Sequence, residues 1–343
     1  MTGVGIIGLG VMGLTHLDVY RRHPQAVVVA LCDNDPKVLS GQLRATGNIA
    51  GQAARGAEDL EAARRYADFR ELLADPGVEL VDICLPTDLH VSVGISALAA
   101  GKHLLVEKPL ARSSAEAAGL LTAARRAPGM AMVAHCMRFW PGWTWLREAI
   151  HDQRFGQLLA ATFRRVVAHP GGPFYSSGDR CGGAILDLHI HDTDFIQFCL
   201  GMPRAVTSFG YSRITGRPDH VVTRYEYDRV PLVVAEGSWA LAHGFRFSMS
   251  YCANFQQATA VYDSTARVPL TLVEPGQPPR SVELPSGMGY EHEIAYFLHC
   301  IQQGRQPTVV TLQEALQSVR IVEAEVESLT SGRRVELDGQ PSS

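Results

Sequence analysis

Six residues near the start of the chain narrow its possible folds. Gly8-Leu9-Gly10-Val11-Met12-Gly13 follows the apolar run Val4-Gly5-Ile6-Ile7 and opens a helical pattern at 13–22. The first glycine suits a tight strand-to-helix turn, the second lets backbone approach a pyrophosphate, and the third lets helix and strand pack closely. Amides at the helix start, Val11 and Met12 among them, would meet the phosphates. A second apolar run at 27–32 ends at Asp33. A carboxylate about 20 residues past the hexad would accept hydrogen bonds from a ribose diol. It also disfavours a 2′-phosphate, and no arginine follows it directly, so NAD is the expected cofactor and NADP the alternative. A plain glycine turn would need the same residues, but the strand, helix and second strand around the hexad favour a nucleotide site.

The same alternation continues. Apolar runs at 4–8, 27–32, 80–85, 104–106 and 130–134 are separated by helical patterns at 13–22, 36–45, 92–100 and 114–124. This predicts βαβ units and an α/β, doubly wound parallel sheet. From about residue 157 the period becomes two. Val221, Thr223, Tyr225 and Tyr227 fall on one face, and Val222, Arg224 and Glu226 on the other. Runs at 232–240, 245–253 and 258–263 follow at hairpin spacing, which predicts a large, mainly antiparallel sheet with one covered face. A helix over 183–200 stops at Gly201-Met202-Pro203, helices over 291–302 and 312–329 close the chain, and 340–343 reads as a tail. A length of 343 residues corresponds to about two domains. The expected division is a Rossmann-type domain at 1–125, an α+β domain at 126–310 and a closing helix at 311–335.

Composition narrows the function class. Hydrophobic residues make up 46% and charged residues 19%, which excludes a disordered chain. The 31 basic and 35 acidic residues leave a net charge of −4 with no long basic run, which argues against nucleic acid or an anionic membrane as partner. No apolar stretch reaches the ~20 residues of a membrane span. Seven scattered cysteines without a C-x-x-C pair predict neither a disulfide framework nor a zinc knuckle. The opening reads as a strand rather than a leader, so the expected location is the cytoplasm.

Two further segments carry chemistry. Glu107-Lys108-Pro109 follows the run at 104–106, and ligands of parallel sheets bind beyond the carboxyl ends of strands. Lys108 there can donate to a substrate oxygen and stabilise charge developing on it, with Glu107 holding it; a surface salt bridge is the alternative. A Lys-Pro bond at such a turn is a candidate cis peptide. The stretch from Gly182 to Asp194 holds four acids and histidines besides Asp194 itself: Asp187, His189, His191 and Asp192. Asp187 and His191 are four apart and share a helix face, with Asp194 near it. A histidine beside a carboxylate is a candidate proton acceptor, and a polar capping network is the alternative. His189 and His191 are two apart, unlike the i, i+4 pair of a helical zinc site, so no metal is expected.

In this order the motifs resemble the glucose–fructose oxidoreductase/inositol dehydrogenase (Gfo/Idh/MocA) family over almost the whole chain. The hexad and Asp33 match its nucleotide positions. Pro86-Thr87-Asp88-Leu89-His90 is similar to its loop after the fourth strand, with the first two residues transposed. Ala100-Gly101-Lys102-His103 leading to Glu107-Lys108-Pro109, the pair Arg138-Phe139, and Asp187-x-x-x-His191-Asp192 match further family motifs. The resemblance implies a Rossmann domain, an open antiparallel α/β domain, and a last helix returning to the Rossmann domain. It implies dimers or tetramers formed through the open sheet. It also implies NAD(P)-dependent oxidation or reduction of a secondary alcohol on a sugar or cyclitol. Lys108, Asp187 and His191 then correspond to the catalytic trio, with Pro86, Thr87, His90, Glu107 and Arg138 beside the cofactor.

Substrate contacts are expected from Trp140, at the head of an aromatic run, and from Tyr175, Asp179 and Arg180 in the loop before the catalytic helix. Glu291 and Glu293 read as an acid-rich helix start. Three rival functions remain: an NAD-dependent glycosidase with transient oxidation, a non-enzymatic NAD-binding regulator, and an enzyme for small non-sugar rings such as dihydrodiols. A regulator would tend to lose the lysine or histidine, and both are present.

Overall fold

The first six strands pair in the order β3-β2-β1-β4-β5-β6, all parallel: β1 (Thr2–Ile7), β2 (Ala26–Cys32), β3 (Arg64–Tyr66), β4 (Leu80–Ile83), β5 (His103–Glu107) and β6 (Ala131–Ala134). A computed structural model describes residues 1–41 and 63–337 of the chain. Helices α1 (Val11–Arg22), α2 (Pro36–Leu39), α3 (Phe69–Ala74), α4 (Thr87–Ala99) and α5 (Ser114–Ala124) connect the strands. β1 and β4 are fully buried, as two-sided burial of their apolar residues requires. The strand order reverses beside β1, which is the topological switch point where such sheets bind ligands.

Local chemistry explains most element ends. Asp35, Asp68 and Ser113 cap α2, α3 and α5, each side chain accepting a first-turn amide. The helix expected at 92–100 begins earlier, at Thr87, with Pro86 as N-cap. α2 ends at Leu39, and the part of the expected 36–45 helix from residue 42 lies outside the described residues. β3 and α3 have no counterpart in the apolar pattern of the sequence: Arg64-Arg65-Tyr66 is a short, charged edge strand with no apolar period.

The chain divides into two units, Met1–Cys136 with Met288–Leu316, and Met137–Gly287 with Gln317–Ser343. The expected boundaries at 125 and 310 shift for physical reasons. β6 pairs with β5, so the first sheet continues past residue 125. Helix α11 (Gly289–Gln303) packs on α1, and Arg22 reaches Glu291 at 3.4 Å. Helix α12 (Leu312–Ser331) leaves the first unit after Leu316. Its Val319 and Val322 pack with Ile185, Leu186, Ile190 and Val221. The helix expected to return to the Rossmann unit thus mainly fills the core of the other one.

The second unit begins with α6 (Pro141–His151) and the long strand β7 (Leu158–Ala168). Helical turns α7 (Gly172–Tyr175) and α8 (Gly178–Cys181) lead to α9 (Gly183–Asp187) and α10 (Ile190–Leu200). The remaining strands are β8 (Ala205–Tyr211), β9 (His220–Glu226), β10 (Leu232–Leu241), β11 (Ser248–Phe255), β12 (Thr259–Asp263), β13 (Leu270–Val273), β14 (Arg280–Ser281) and β15 (Val335–Glu336). They form one sheet in the order β14-β13-β12-β11-β7-β10-β9-β8-β15. Its pairs are antiparallel except β7–β10, which is parallel.

The alternation in β9 is the expected one: Val221, Thr223 and Tyr225 are buried and Arg224 is exposed. Trp143, from the aromatic run, is core: its ring lies 4.6 Å from Tyr262 and 5.2 Å from Tyr251 by centroids. All seven cysteines are free thiols. Among the described residues no helix is long and apolar enough to cross a membrane.

Candidate active site

The glycine hexad is built so that side chains cannot replace its turns. Gly8 has φ +91°, and a Cβ there would lie 2.6 Å from the Cys84 carbonyl oxygen. A Cβ on Gly13 would lie 1.9 Å from the Gly8 carbonyl oxygen. Gly10 differs: it is exposed, it is the N-cap of α1, and a Cβ there would meet open space. No side chain caps α1 and its first turn carries no acid, so the positive helix end, with Val11 and Met12, faces outward. Asp33 accepts the Leu9 amide on Oδ2 and the Asp35 amide on Oδ1, both at 2.9 Å. Each carboxylate oxygen has a second lone pair left for a hydroxyl. An open backbone cradle, an uncapped helix start and a held carboxylate fit a dinucleotide.

The loops after β4 and β5 are tied together. His90 is buried, with Nδ1 2.8 Å from the Pro109 carbonyl and Nε2 2.8 Å from the Leu85 carbonyl. Burial lowers its pKa. Both nitrogens face main-chain carbonyls and the neutral ring donates to one of them at a time, so His90 lies between the two loops instead of reaching towards a ligand. Pro86 opens α4 and Thr87 is buried behind it. Glu107 is buried; its Oε2 accepts the Lys108 amide at 3.0 Å, and its Oε1 lies 3.3 Å from Nε2 of His16. Lys108 itself is partly exposed, and its bond to Pro109 is cis.

His16, Asp82 and Glu293 escaped the sequence reading. The available signal was an acid inside the apolar run Leu80-Val81-Asp82-Ile83. The acid-rich helix start describes Glu291, whose Oε2 accepts the Met288 amide at 2.8 Å. It does not describe Glu293, which is fully buried with neither oxygen hydrogen-bonded. The ligand-type atoms of His16, Asp82 and Cys84 lie within 4.8 Å of one another. They satisfy each other instead of converging on an ion. Asp82 Oδ2 is 2.8 Å from His16 Nδ1, and burial pushes the Cys84 thiol up, away from the thiolate a metal needs.

The expected helix at 183–200 is broken. Leu188 and His189 separate α9 from α10, and the His189 amide bonds the Ala184 carbonyl five residues back. Asp187 and His191 therefore do not sit one regular turn apart. Both are partly exposed, whereas His189, Ile190, Asp192 and Asp194 are buried. Gly182 and Gly183 enter this segment at φ +78° and +80°, and a Cβ on Gly183 would lie 2.7 Å from the Pro218 carbonyl oxygen.

Buried pairs hold the segment. Asp192 takes two hydrogen bonds from Arg165, at 2.9 and 3.0 Å. Asp194 takes two from Arg138, at 2.9 and 2.8 Å, and one from Ser318 Oγ at 2.8 Å. Arg138, expected beside the cofactor, is instead buried on Asp194 and over the Phe198 ring. His189 Nε2 lies 3.1 Å from the Tyr225 hydroxyl, which donates to Glu325 at 2.7 Å. Thr193 also donates to Glu325, at 3.0 Å. Burial drives His189 down to about 3 and Glu325 up to about 8, so the network is neutral near pH 7.

The four substrate candidates occupy different surroundings. Trp140 is the partly buried N-cap of α6. Tyr175 meets the Trp239 ring edge-on at 6.0 Å, Arg180 lies over the Phe174 ring, and exposed Asp179 pairs with Arg217 at 3.0 Å. Of the trio, Lys108 belongs to the first unit, and Asp187 and His191 to the second.

Residues 2–135 match the family model described as an oxidoreductase family with an NAD-binding Rossmann fold. Residues 143–262 match the GFO/IDH/MocA C-terminal domain. The chain belongs to the GFO/IDH/MocA oxidoreductase family. NAD is the cofactor of its Rossmann unit. Inositol 2-dehydrogenase of Rhizobium meliloti is 26% identical, with 97% of this chain and 98% of that protein covered. Levoglucosan dehydrogenase of Pseudarthrobacter phenanthrenivorans is 30% identical over 63% of this chain, and the match spans 55% of that relative's length. The solved structure of a levoglucosan dehydrogenase in complex with NADH and levoglucosan shares the fold. Its TM-score is 0.86 at 21% identity, covering 98% of this chain and 100% of that one.

Proposed function

We propose that this GFO/IDH/MocA protein transfers a hydride between NAD and a secondary alcohol or ketone of a sugar, cyclitol or sugar derivative. One observation carries the reading. The first unit carries an intact dinucleotide cradle with Lys108 partly exposed, and in the second unit Asp187 and His191 stay partly exposed while the adjoining acids and histidines are buried and internally paired. The polyol-type activities printed for its relatives support the substrate class.

The glycine hexad and Asp33 would hold NAD, which when bound would supply the acceptor for the hydride leaving the carbinol carbon. His191 takes the hydroxyl proton as the carbon–oxygen bond becomes a carbonyl. Lys108 donates to that oxygen and stabilises its developing negative charge. Asp187 orients the substrate or His191. In the reductive direction His191 returns the proton. Asp33 favours NAD over NADP by repelling a 2′-phosphate.

The exposed apolar side chains Phe209, Leu232 and Val261 on the uncovered face of the second sheet support a homodimer or homotetramer formed there. Seven free thiols suit a reducing, cytoplasmic compartment.

The test is a screen of NAD and NADP reduction over sugars, anhydrosugars, inositols and sugar acids. Net NADH formation on a free polyol is expected. Glycoside cleavage without net NADH would overturn the reading in favour of a redox-assisted glycosidase. Lys108→Ala and His191→Ala should each lower turnover by roughly 10²–10⁴-fold, and full activity in both would refute the assignment.

A further inference from the structure

The first unit buries a chain of charges that ends at the main chain of Lys108. His16 lies three residues past the glycine hexad on α1 and is fully buried. Its Nδ1 meets Asp82 Oδ2 at 2.8 Å, and its Nε2 meets Glu107 Oε1 at 3.3 Å and Glu293 Oε1 at 3.9 Å. The Nε2–Glu107 contact is at ion-pair distance without hydrogen-bond geometry, and with Asp82 hydrogen-bonded to Nδ1 the two carboxylates favour the imidazolium form of His16. Burial opposes that charge, but the Asp82 carboxylate outweighs it and holds the histidine well above its ordinary pKa. Burial raises the Glu107 carboxyl as well, yet the His16 contact brings it below its ordinary value. Glu293 has no hydrogen-bond partner, and burial pushes its carboxyl well above its ordinary value. The other titratable groups facing His16 are Cys84, just past β4, and Tyr290 on α11, with Tyr20 nearby on its own helix. One cation thus serves two carboxylates, and the second of them, Glu107, accepts the Lys108 amide at 3.0 Å.

We infer that His16, backed by Asp82, is a positioning residue for Lys108: it fixes the Glu107 carboxylate that holds the Lys108 main chain. The inference rests on the proposed role of Lys108 at the substrate oxygen. Stability alone gives little reason for such a cluster, because the cost of burying ion pairs often matches what their attraction returns. Its location gives a better one. Asp82 and Glu107 lie at the carboxyl ends of β4 and β5, beside the turn where Gly8 packs on the Cys84 carbonyl. A lysine displaced by about 1 Å would lose about 10² in turnover.

The experiment is a double-mutant cycle on the full chain with NAD and the best polyol of the screen. It is read together with NADH affinity and hydrogen–deuterium exchange at the peptide carrying Lys108. His16→Gln is expected to lower kcat about 10²-fold, leave NADH affinity within about threefold, and speed exchange at that peptide. In a Lys108→Ala background the same change should cost nothing further, because His16 acts through Lys108. A full, additive loss on top of Lys108→Ala, or unchanged exchange, would overturn the inference. An active Lys108→Ala single variant would instead overturn the reading of Lys108 itself. Asp82→Asn, which keeps volume and removes the charge, carries the same cycle if His16→Gln does not fold. Unfolding of both variants would also overturn the inference, making the cluster a structural prop.

Discussion

Gly13 shows how little room the cofactor turn leaves. The added methyl of Gly13→Ala would start 1.9 Å from the Gly8 carbonyl oxygen, so strand end and helix start must separate. Overpacking of about 1–3 kcal/mol at this turn should weaken NADH binding by about tenfold or more, measured by fluorescence titration. Glu325 illustrates the opposite case, a residue invisible to motif reading. Buried against Tyr225 and Thr193, it titrates at about 8 in the fold against an ordinary 4.5. The folded state therefore binds more protons than the unfolded chain between those values. The stabilisation from this group is complete below about pH 4.5 and is lost as pH rises through about 8. Glu325→Gln cannot ionise, so its melting temperature relative to the parent should climb between pH 5 and pH 8.5. A difference that stays flat across this range would count against the protonated network.

A continuous helix over 183–200 is the natural reading of the composition, yet the chain folds as α9 and α10 with a five-residue hydrogen-bonded turn between them. The break is held by partners far along the chain: Tyr225 and Glu325 on His189 and Thr193, Arg165 on Asp192, and Arg138 on Asp194. Arg138 is thus assigned to the scaffold of α10 rather than to the cofactor. Removing one partner of a buried ion pair costs about 3–5 kcal/mol. Arg138→Ala should lose about that much stability in urea unfolding while NADH affinity stays within a few-fold. A selective loss of NADH binding with unchanged stability would restore the cofactor role.

For the whole molecule, the second sheet covers one face and leaves the other open. Phe209, Val222, Glu236, Arg164, Ser250 and Asp263 form one cross-strand row on that open face. Val234, Thr162, Cys252 and Val261 form another. Phe209 is 67% and Val261 40% exposed, and the Arg164–Glu236 pair sits between apolar Phe209 and Val222 on one side and polar Ser250 and Asp263 on the other. The homo-oligomer proposed through this face predicts that Val261→Glu, which places a charge in the second row, reduces the particle mass in light scattering to that of a single chain, with the circular dichroism unchanged.

The features readable from sequence were local ones. The hexad, Asp33, Lys108 and the β9 alternation depend on a turn, a strand end or a two-residue period, and backbone sterics decide these within a few residues. The partners of buried charges were not readable. His16 meets Asp82 across 66 positions, Arg138 meets Asp194 across 56, and Tyr225 meets Glu325 across 100. Spacing carries no record of such pairs. They exist because a charge or hydroxyl removed from water must find its counterpart inside the fold, and packing selects that counterpart once distant elements are brought together.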